Sequence, residues 1–170
     1  MKKIGLLSDT HSYLDKKVFE YFSLCDEIWH AGDFGDVIVS EALSSFKTLK
    51  AVFGNIDGND IRSIHPVDQI FLCEEVRVLI THIGGYPGNY SPEARNKIEL
   101  HKPDLFICGH SHILKVMHDR HHHLLHINPG AAGKTGWHKI RTMVRFSIHE
   151  KKIENLEVIE LGLRGDGSGD

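Results

Sequence analysis

Seven side chains of metal-ligating type each follow a short apolar run in this chain. Asp9 and His11 come after Ile4-Gly5-Leu6-Leu7, Asp33 after Glu27-Ile28-Trp29-His30-Ala31, and Asn55 after Leu49 to Phe53. His82 follows Val76 to Thr81, and His110 and His112 follow Leu105-Phe106-Ile107-Cys108. Runs of this length bounded by turn residues read as buried strands, which puts the ligand-type residues at strand ends. In an extended chain His110 and His112 point to the same side, roughly 6 to 7 Å apart, and Gly109 lets the backbone pass close to whatever binds there. Asp9 and His11 repeat that spacing. Carboxylate, amide and imidazole donors without a thiolate suit Mn²⁺, Fe, Zn²⁺ and similar ions, and seven ligands are too many for one.

Two ions about 3.5 to 4 Å apart, bridged by one carboxylate, clamp a phosphoryl group and lower the pKa of a bound water until it is a hydroxide nucleophile. The residue set therefore points to phosphoester hydrolysis. Taken singly, each residue has a plainer reading. Asp9 or Asp33 would cap the following helix, Asn55 would make a turn before Asp57-Gly58, and His82 would be a hydrogen-bonded core histidine. Their recurrence at successive strand ends carries the metal reading. Asp36 and Asp57 are candidates for holding the ligands in orientation.

The elements that must position these residues follow from periodicity. Val18, Phe19, Phe22 and Cys25 predict a helix within Asp15 to Cys25, and Val37, Ala42, Leu43 and Phe46 predict another from Val37 to Phe46. The resulting βαβαβ run implies parallel strands whose carboxyl-end loops open on one sheet edge, where Asp9, His11, Asp33 and Asn55 would meet. Gln69 to Cys73 and Val76 to Thr81 read as strands around a Glu74-Glu75 turn. Ser91-Pro92-Glu93 predicts the start of a helix reaching His101. Val116 to Asp119, Leu124 to Asn128, Met143 to His149 and Ile153 to Leu161 look like antiparallel strands, the last two turning at Glu150-Lys151-Lys152. Gly84 to Tyr90 reads as a flexible aromatic loop beside His82, either a pocket wall over a nucleobase or aryl group or a plain surface loop. Arg62, Arg95 and Lys134 are candidate phosphate contacts, whereas His30, His65, His101, His118, His126, His138 and His149 receive no role.

At 170 residues, 41% hydrophobic and 25% charged, the chain fits a single domain. A net charge of -3 gives no electrostatic reason for a nucleic-acid or anionic-membrane partner. Cys25, Cys73 and Cys108, odd in number and scattered, suit reduced thiols. The apolar run after Met1-Lys2-Lys3 is too short for a signal peptide and no run approaches a membrane span, so a cytoplasmic protein is expected. His121 to His123 read as a solvated turn.

The ordered blocks Asp9-Thr10-His11, Gly32-Asp33, Gly54-Asn55, His82 and Gly109-His110-Ser111-His112 resemble those of the calcineurin-like metallophosphoesterases. The chain length and the Asn128-Pro129-Gly130-Ala131-Ala132-Gly133 turn are similar to the small bacterial and archaeal phosphodiesterase subgroup. The resemblance implies an α/β fold, a two-sheet β-sandwich flanked by helices, over residues 1–162, with 163–170 as a flexible tail. It implies that Asp9, His11 and His112 hold one ion, that Asn55, His82 and His110 hold a second, and that Asp33 bridges both. Asp9, Asp33, Asn55, His82 and His110 are the implied catalytic set. Two divalent ions are the implied cofactors, with Mn²⁺ expected and Fe, Zn²⁺ or Ni²⁺ compatible. The implied partner is a small, nucleotide-like phosphoester, and apolar residues near Trp137 are a candidate dimer face. The chain departs from many family members at Ile56, where a histidine usually assists the leaving group. The competing reading is a non-catalytic metal-binding scaffold, since the resemblance extends to the retromer subunit of this fold.

Overall fold

In the computed structural model, which describes residues 1–165, alternation along β1 (Lys2–Leu7) sets the layering. Ile4 and Leu6 face a core shared with the second half of the chain, and Leu7 packs beneath helices on the opposite face. β1, β2 (Glu27–His30) and β3 (Thr48–Ala51) run parallel, linked by α1 (Lys17–Tyr21) and α2 (Val37–Phe46). The Asp36 carboxylate caps α2 by accepting from the Ile38 N–H, while Val39 and Leu43 bury its inner face.

The chain continues through α3 (Asn59–Ile64), β4 (Asp68–Cys73), β5 (Val76–Thr81), β6 (Gly85–Tyr86), β7 (Asn89–Tyr90) and α4 (Pro92–His101). It ends in β8 (Leu105–Ile107), β9 (Lys115–Asp119), β10 (Leu124–Asn128), β11 (Ile140–His149) and β12 (Lys152–Leu163). Two five-stranded sheets result, ordered β12-β11-β1-β2-β3 and β4-β5-β8-β10-β9. Between them lie Ile4, Leu6, Trp29, Val78, Ile80, Ile107, Ile127 and Phe146. The Trp29 ring meets Phe71 and Phe146 edge-on at 5.1 and 5.8 Å, a geometry favoured by the aromatic quadrupole. α1, α2 and α3 cover the outer face of the first sheet with Val18, Val39, Leu43 and Ile61, and α4 covers the second with Ala94 and Ile98. This is the expected α/β sandwich flanked by helices.

The structure corrects several boundaries. The expected Asp15–Cys25 helix is regular only over Lys17–Tyr21, because the Ser23 hydroxyl donates to the Glu20 carbonyl and the chain turns, though Phe22 and Cys25 still reach the core. Periodicity predicts no helix at α3, because Ile61 is its one buried residue, too little for a period. β10 pairs parallel with β8 as well as antiparallel with β9. The expected flexible Gly84–Tyr90 loop contains the β6–β7 hairpin, and Tyr90 turns into the core against Phe106. β12 runs through Leu163, the first residue of the expected tail, which pairs with Ile140. Residues 166–170 of that tail lie outside the described residues.

His126 on β10 is fully buried, and neither ring nitrogen has a hydrogen-bond partner. Burial foremost, with the Lys115 charge, pushes its pKa from 6.5 down to about 4. The unfolded chain therefore binds more protons than the native state between those values, so stability falls as pH drops through that window and flattens below it. Urea titrations from pH 7 to pH 4 are expected to show this loss, and His126→Leu to reduce it; an unchanged pH slope would contradict the assignment.

Candidate metal centre

β1, β2 and β3 deliver Asp9, His11, Asp33 and Asn55 to one edge of the first sheet, and β5 and β8 deliver His82, His110 and His112 to the facing edge of the second. All seven predicted residues meet there, but not as side chains of extended strand. Asp9, His11, Asp33, His110 and His112 all have φ between 46° and 67°, the left-handed region that residues other than glycine seldom adopt. His110 and His112 consequently part. The nearest ligand atoms of Asp9, His11 and His112 lie within 4.8 Å of one another, and so do those of Asp33, His82 and His110.

Asp9 is fully buried, and its two oxygens differ. Oδ2 accepts from the Ser8 hydroxyl at 2.6 Å and the His110 N–H at 3.1 Å. Oδ1 accepts no hydrogen bond, although His112 Nε2 lies 3.1 Å away and the Nε2 atoms of His11 and His82 each 3.9 Å. An unpaired carboxylate oxygen is expensive to bury, so this one fits a cation. Asp33 faces both groups. Its Oδ2 is 3.1 Å from His82 Nε2 and 3.7 Å from His11 Nε2, while Oδ1 accepts from the Ile56 N–H. Asn55 Oδ1 stands 3.1 Å from His82 Nε2 and 2.9 Å from His110 Nδ1. The His82 Nδ1–H donates to the Ala31 carbonyl at 2.7 Å, which leaves the Nε2 lone pair turned toward the site.

The field of the site attracts positive charge. Burial works to raise the Asp33 pKa, but the hydrogen bond and charge of His82 and the Ile56 N–H outweigh it, and the net shift is downward. Burial opposes a proton on His82, yet the Asp33 hydrogen bond and the Asp9 and Asp33 charges raise its pKa overall. His110 moves the other way, lowered by burial and by the neighbouring His82. Asp9, Asp33 and His82 are buried whereas Asn55 and His110 are exposed, so a small anion can approach on the Asn55 side.

Asp57, a candidate for holding the ligands in orientation, does so, and several residues that spacing does not single out join it. The Asp57 carboxylate accepts backbone N–H groups from Asp33 at 3.0 Å, Gly35 at 2.9 Å and Gly54 at 2.8 Å, which ties two ligand loops together. Gly54 is required because a Cβ there would collide with Asp33 Oδ1, and one on Gly109 would collide with Ser8 Oγ. Asn128 donates to the Gly109 carbonyl and accepts from the Gly130 N–H, bracing the loop of His110 and His112. His30 accepts from the Gly32 N–H through Nδ1 and places Nε2 3.1 Å from Thr10 Oγ1, behind both carboxylate loops. Burial, then His65 and His82, hold its pKa well below 6.5. For Asn128 the Asn-Pro-Gly turn is the one signal in the sequence, and for His30 there is none. Of the candidate phosphate contacts, Arg62 donates to the Asp57, Gly54 and Asn55 carbonyls, Arg95 lines a separate cavity with Asp119, and Lys134 lies over the Tyr13 ring.

A model of the calcineurin-like phosphoesterase superfamily domain matches residues 1–151. The chain belongs to that superfamily. Among relatives of this calcineurin-like chain, a probable metallophosphoesterase of Methanocaldococcus jannaschii is 28% identical over 163 residues, covering 92% of this chain and 81% of its own. A phosphodiesterase of the same organism is 28% identical over 146 residues, covering 75% and 82%. The structure of an archaeal phosphodiesterase superposes with a TM-score of 0.74 at 25% identity, covering 94% and 99%. Vps29 of Chaetomium thermophilum has the same TM-score at 16% identity, covering 95% and 97%, which shows the fold alone. Among the described residues no helix is long and apolar enough to cross a membrane.

Replacing Asp57 by Asn removes the charge that receives three backbone donors. This is expected to cost about 2 to 3 kcal/mol in urea unfolding and to weaken Mn²⁺ binding roughly 10- to 100-fold in calorimetric titration. Unchanged affinity would show that the loops hold their ligands without it.

Proposed function

We propose that this calcineurin-like phosphoesterase is a phosphodiesterase that works with two divalent ions, Mn²⁺ being the expected species. The observation that carries the reading is that Asp33 Oδ2 stands between two groups of ligand atoms, one around Asp9 and one around His82. Asp9, His11 and His112 would hold one ion, Asn55, His82 and His110 the other, and Asp33 both. When bound, such a pair supplies a hydroxide-like nucleophile at neutral pH and positive charge for the phosphoryl oxygens. Hydrolysis then forms a bond from a water oxygen to phosphorus and breaks the bond from phosphorus to the leaving alcohol.

The chain's own residues set what the site accepts. Asp9 and Asp33, both buried, surround the ligand atoms with negative charge, and the Ala31 carbonyl fixes the tautomer of His82. His110 and Asn55 form the exposed side by which the phosphoester enters. Ile56 follows Asn55 with a side chain that neither donates a proton nor carries charge, so the leaving alkoxide departs without help from this position. Weakly basic leaving groups and diesters are therefore favoured over alkyl monoesters. A small phosphoester, nucleotide-like in size, is the proposed substrate.

The test is hydrolysis of bis(4-nitrophenyl) phosphate by chelator-stripped protein with and without Mn²⁺. Turnover is expected only with the ion, and a loss of about 100-fold or more in kcat is expected for His110→Ala and Asp33→Asn while both remain folded. Metal binding without turnover of any phosphoester would favour the scaffold reading, and faster turnover of alkyl monoesters than aryl diesters would contradict the role given to Ile56.

A further inference from the structure

A cavity of about 460 Å³ opens directly beside the centre, with Asn55 and His82 forming one of its walls. A group seated in it would be attached to, or touching, a phosphoryl group at those residues. The volume is within the range of pockets that bury organic ligands and far exceeds the needs of a methyl ester. Nothing in the site chemistry described so far uses this space.

Its walls define the occupant. Phe53, Val67 and Ile83 supply apolar surface, and Val67 and Ile83 stay 53% and 46% exposed at the mouth. The cations that line it are already engaged. Lys97 Nζ is 2.7 Å from the Asp68 carboxylate. The Arg62 guanidinium lies 4.4 Å from the centre of the Phe53 ring and donates to the Asp57, Gly54 and Asn55 carbonyls at 2.6, 3.2 and 3.3 Å. Glu93 adds an exposed carboxylate, which disfavours a second phosphate. The surface thus offers apolar contact and a pinned, planar guanidinium resting on an aromatic ring, and little that would hold an anion. Flat, uncharged groups match it, because they bury area against Val67 and Ile83 without stranding a charge.

We infer that this cavity binds one ester substituent of the substrate, and that the substituent is an aryl or nucleoside group. The inference rests on the phosphodiesterase reading and narrows its substrate class. It is consistent with Ile56 where an aryl group leaves and a nucleoside is the substituent retained on phosphorus, and a diester is the class that carries both.

Two measurements test it, the first on the Mn²⁺-loaded protein and the second on the metal-free protein. The first compares Val67→Asp with the wild type on thymidine 5′-(4-nitrophenyl phosphate). Val67 holds no ligand atom and is half exposed, so the variant should fold, and a carboxylate set against the bound ring is expected to raise KM about tenfold with a smaller change in kcat. The second follows the methyl resonances of Val67 and Ile83 in the metal-free protein, where Mn²⁺ does not broaden them, as thymidine 5′-(methyl phosphate) is added. Both residues are expected to shift with saturation. If the wild type hydrolyses the diester while Val67→Asp keeps its KM and neither methyl set moves, the cavity assignment is overturned and the hydrolytic reading stands. If the methyl groups shift but no phosphoester is turned over, the binding site stands and the hydrolytic reading falls.

Discussion

Two carboxylates, Asp9 and Asp33, are buried side by side at the edge where the sheets converge, and Asp9 Oδ1 has no hydrogen-bond donor. Like charges held together out of water are costly unless positive charge joins them, by protonation or by a cation. The rest of the site follows from that constraint. Imidazoles line the space between the carboxylates, and the raised pKa of His82 is the protein's own partial answer to the excess negative charge. A divalent ion is a stronger answer. It explains why ligand atoms from five strand ends converge where a single salt bridge would have satisfied a purely structural pair.

Holding such an arrangement takes rigid backbone. Five of the seven ligand-type residues have left-handed φ angles, and that strain persists because the loops are over-determined. Asp57 ties the Asp33 and Gly54 loops, Asn128 braces the Gly109 loop, and His30 stands behind the Asp9 and Asp33 loops with its ring stacked on Phe34. Gly54 and Gly109 allow backbone to approach where any side chain would collide with Asp33 or Ser8. These supports rest in turn on the two sheets, whose shared core of Trp29, Ile80, Ile107 and Phe146 fixes one sheet edge against the other.

Much of this was legible in the sequence, and for physical reasons. Strands that end in Asp, Asn or His after an apolar run announce a site at the carboxyl edge, because parallel βαβ units bring those ends together. The apolar period predicts α2 at its observed bounds, but Asp36, a candidate for orienting the ligands, instead caps that helix through the Ile38 N–H. What escaped were features set by non-local packing. The turn that separates His110 from His112 depends on left-handed backbone that spacing does not reveal. His30 gains its role only when Gly32 and Thr10 close around it. The cavity beside Asn55 draws its walls from α3, the end of β5 and the start of α4, elements that touch only in the folded chain.

The most direct test of the paired-carboxylate account is anomalous diffraction from crystals of this protein soaked in Mn²⁺. The account expects two peaks. One should lie within coordinating distance of Asp9, His11 and His112, the other of Asn55, His82 and His110, with the Asp33 carboxylate touching both. A single peak that leaves one group empty, or no peak at a site whose carboxylates have instead become protonated, would contradict it.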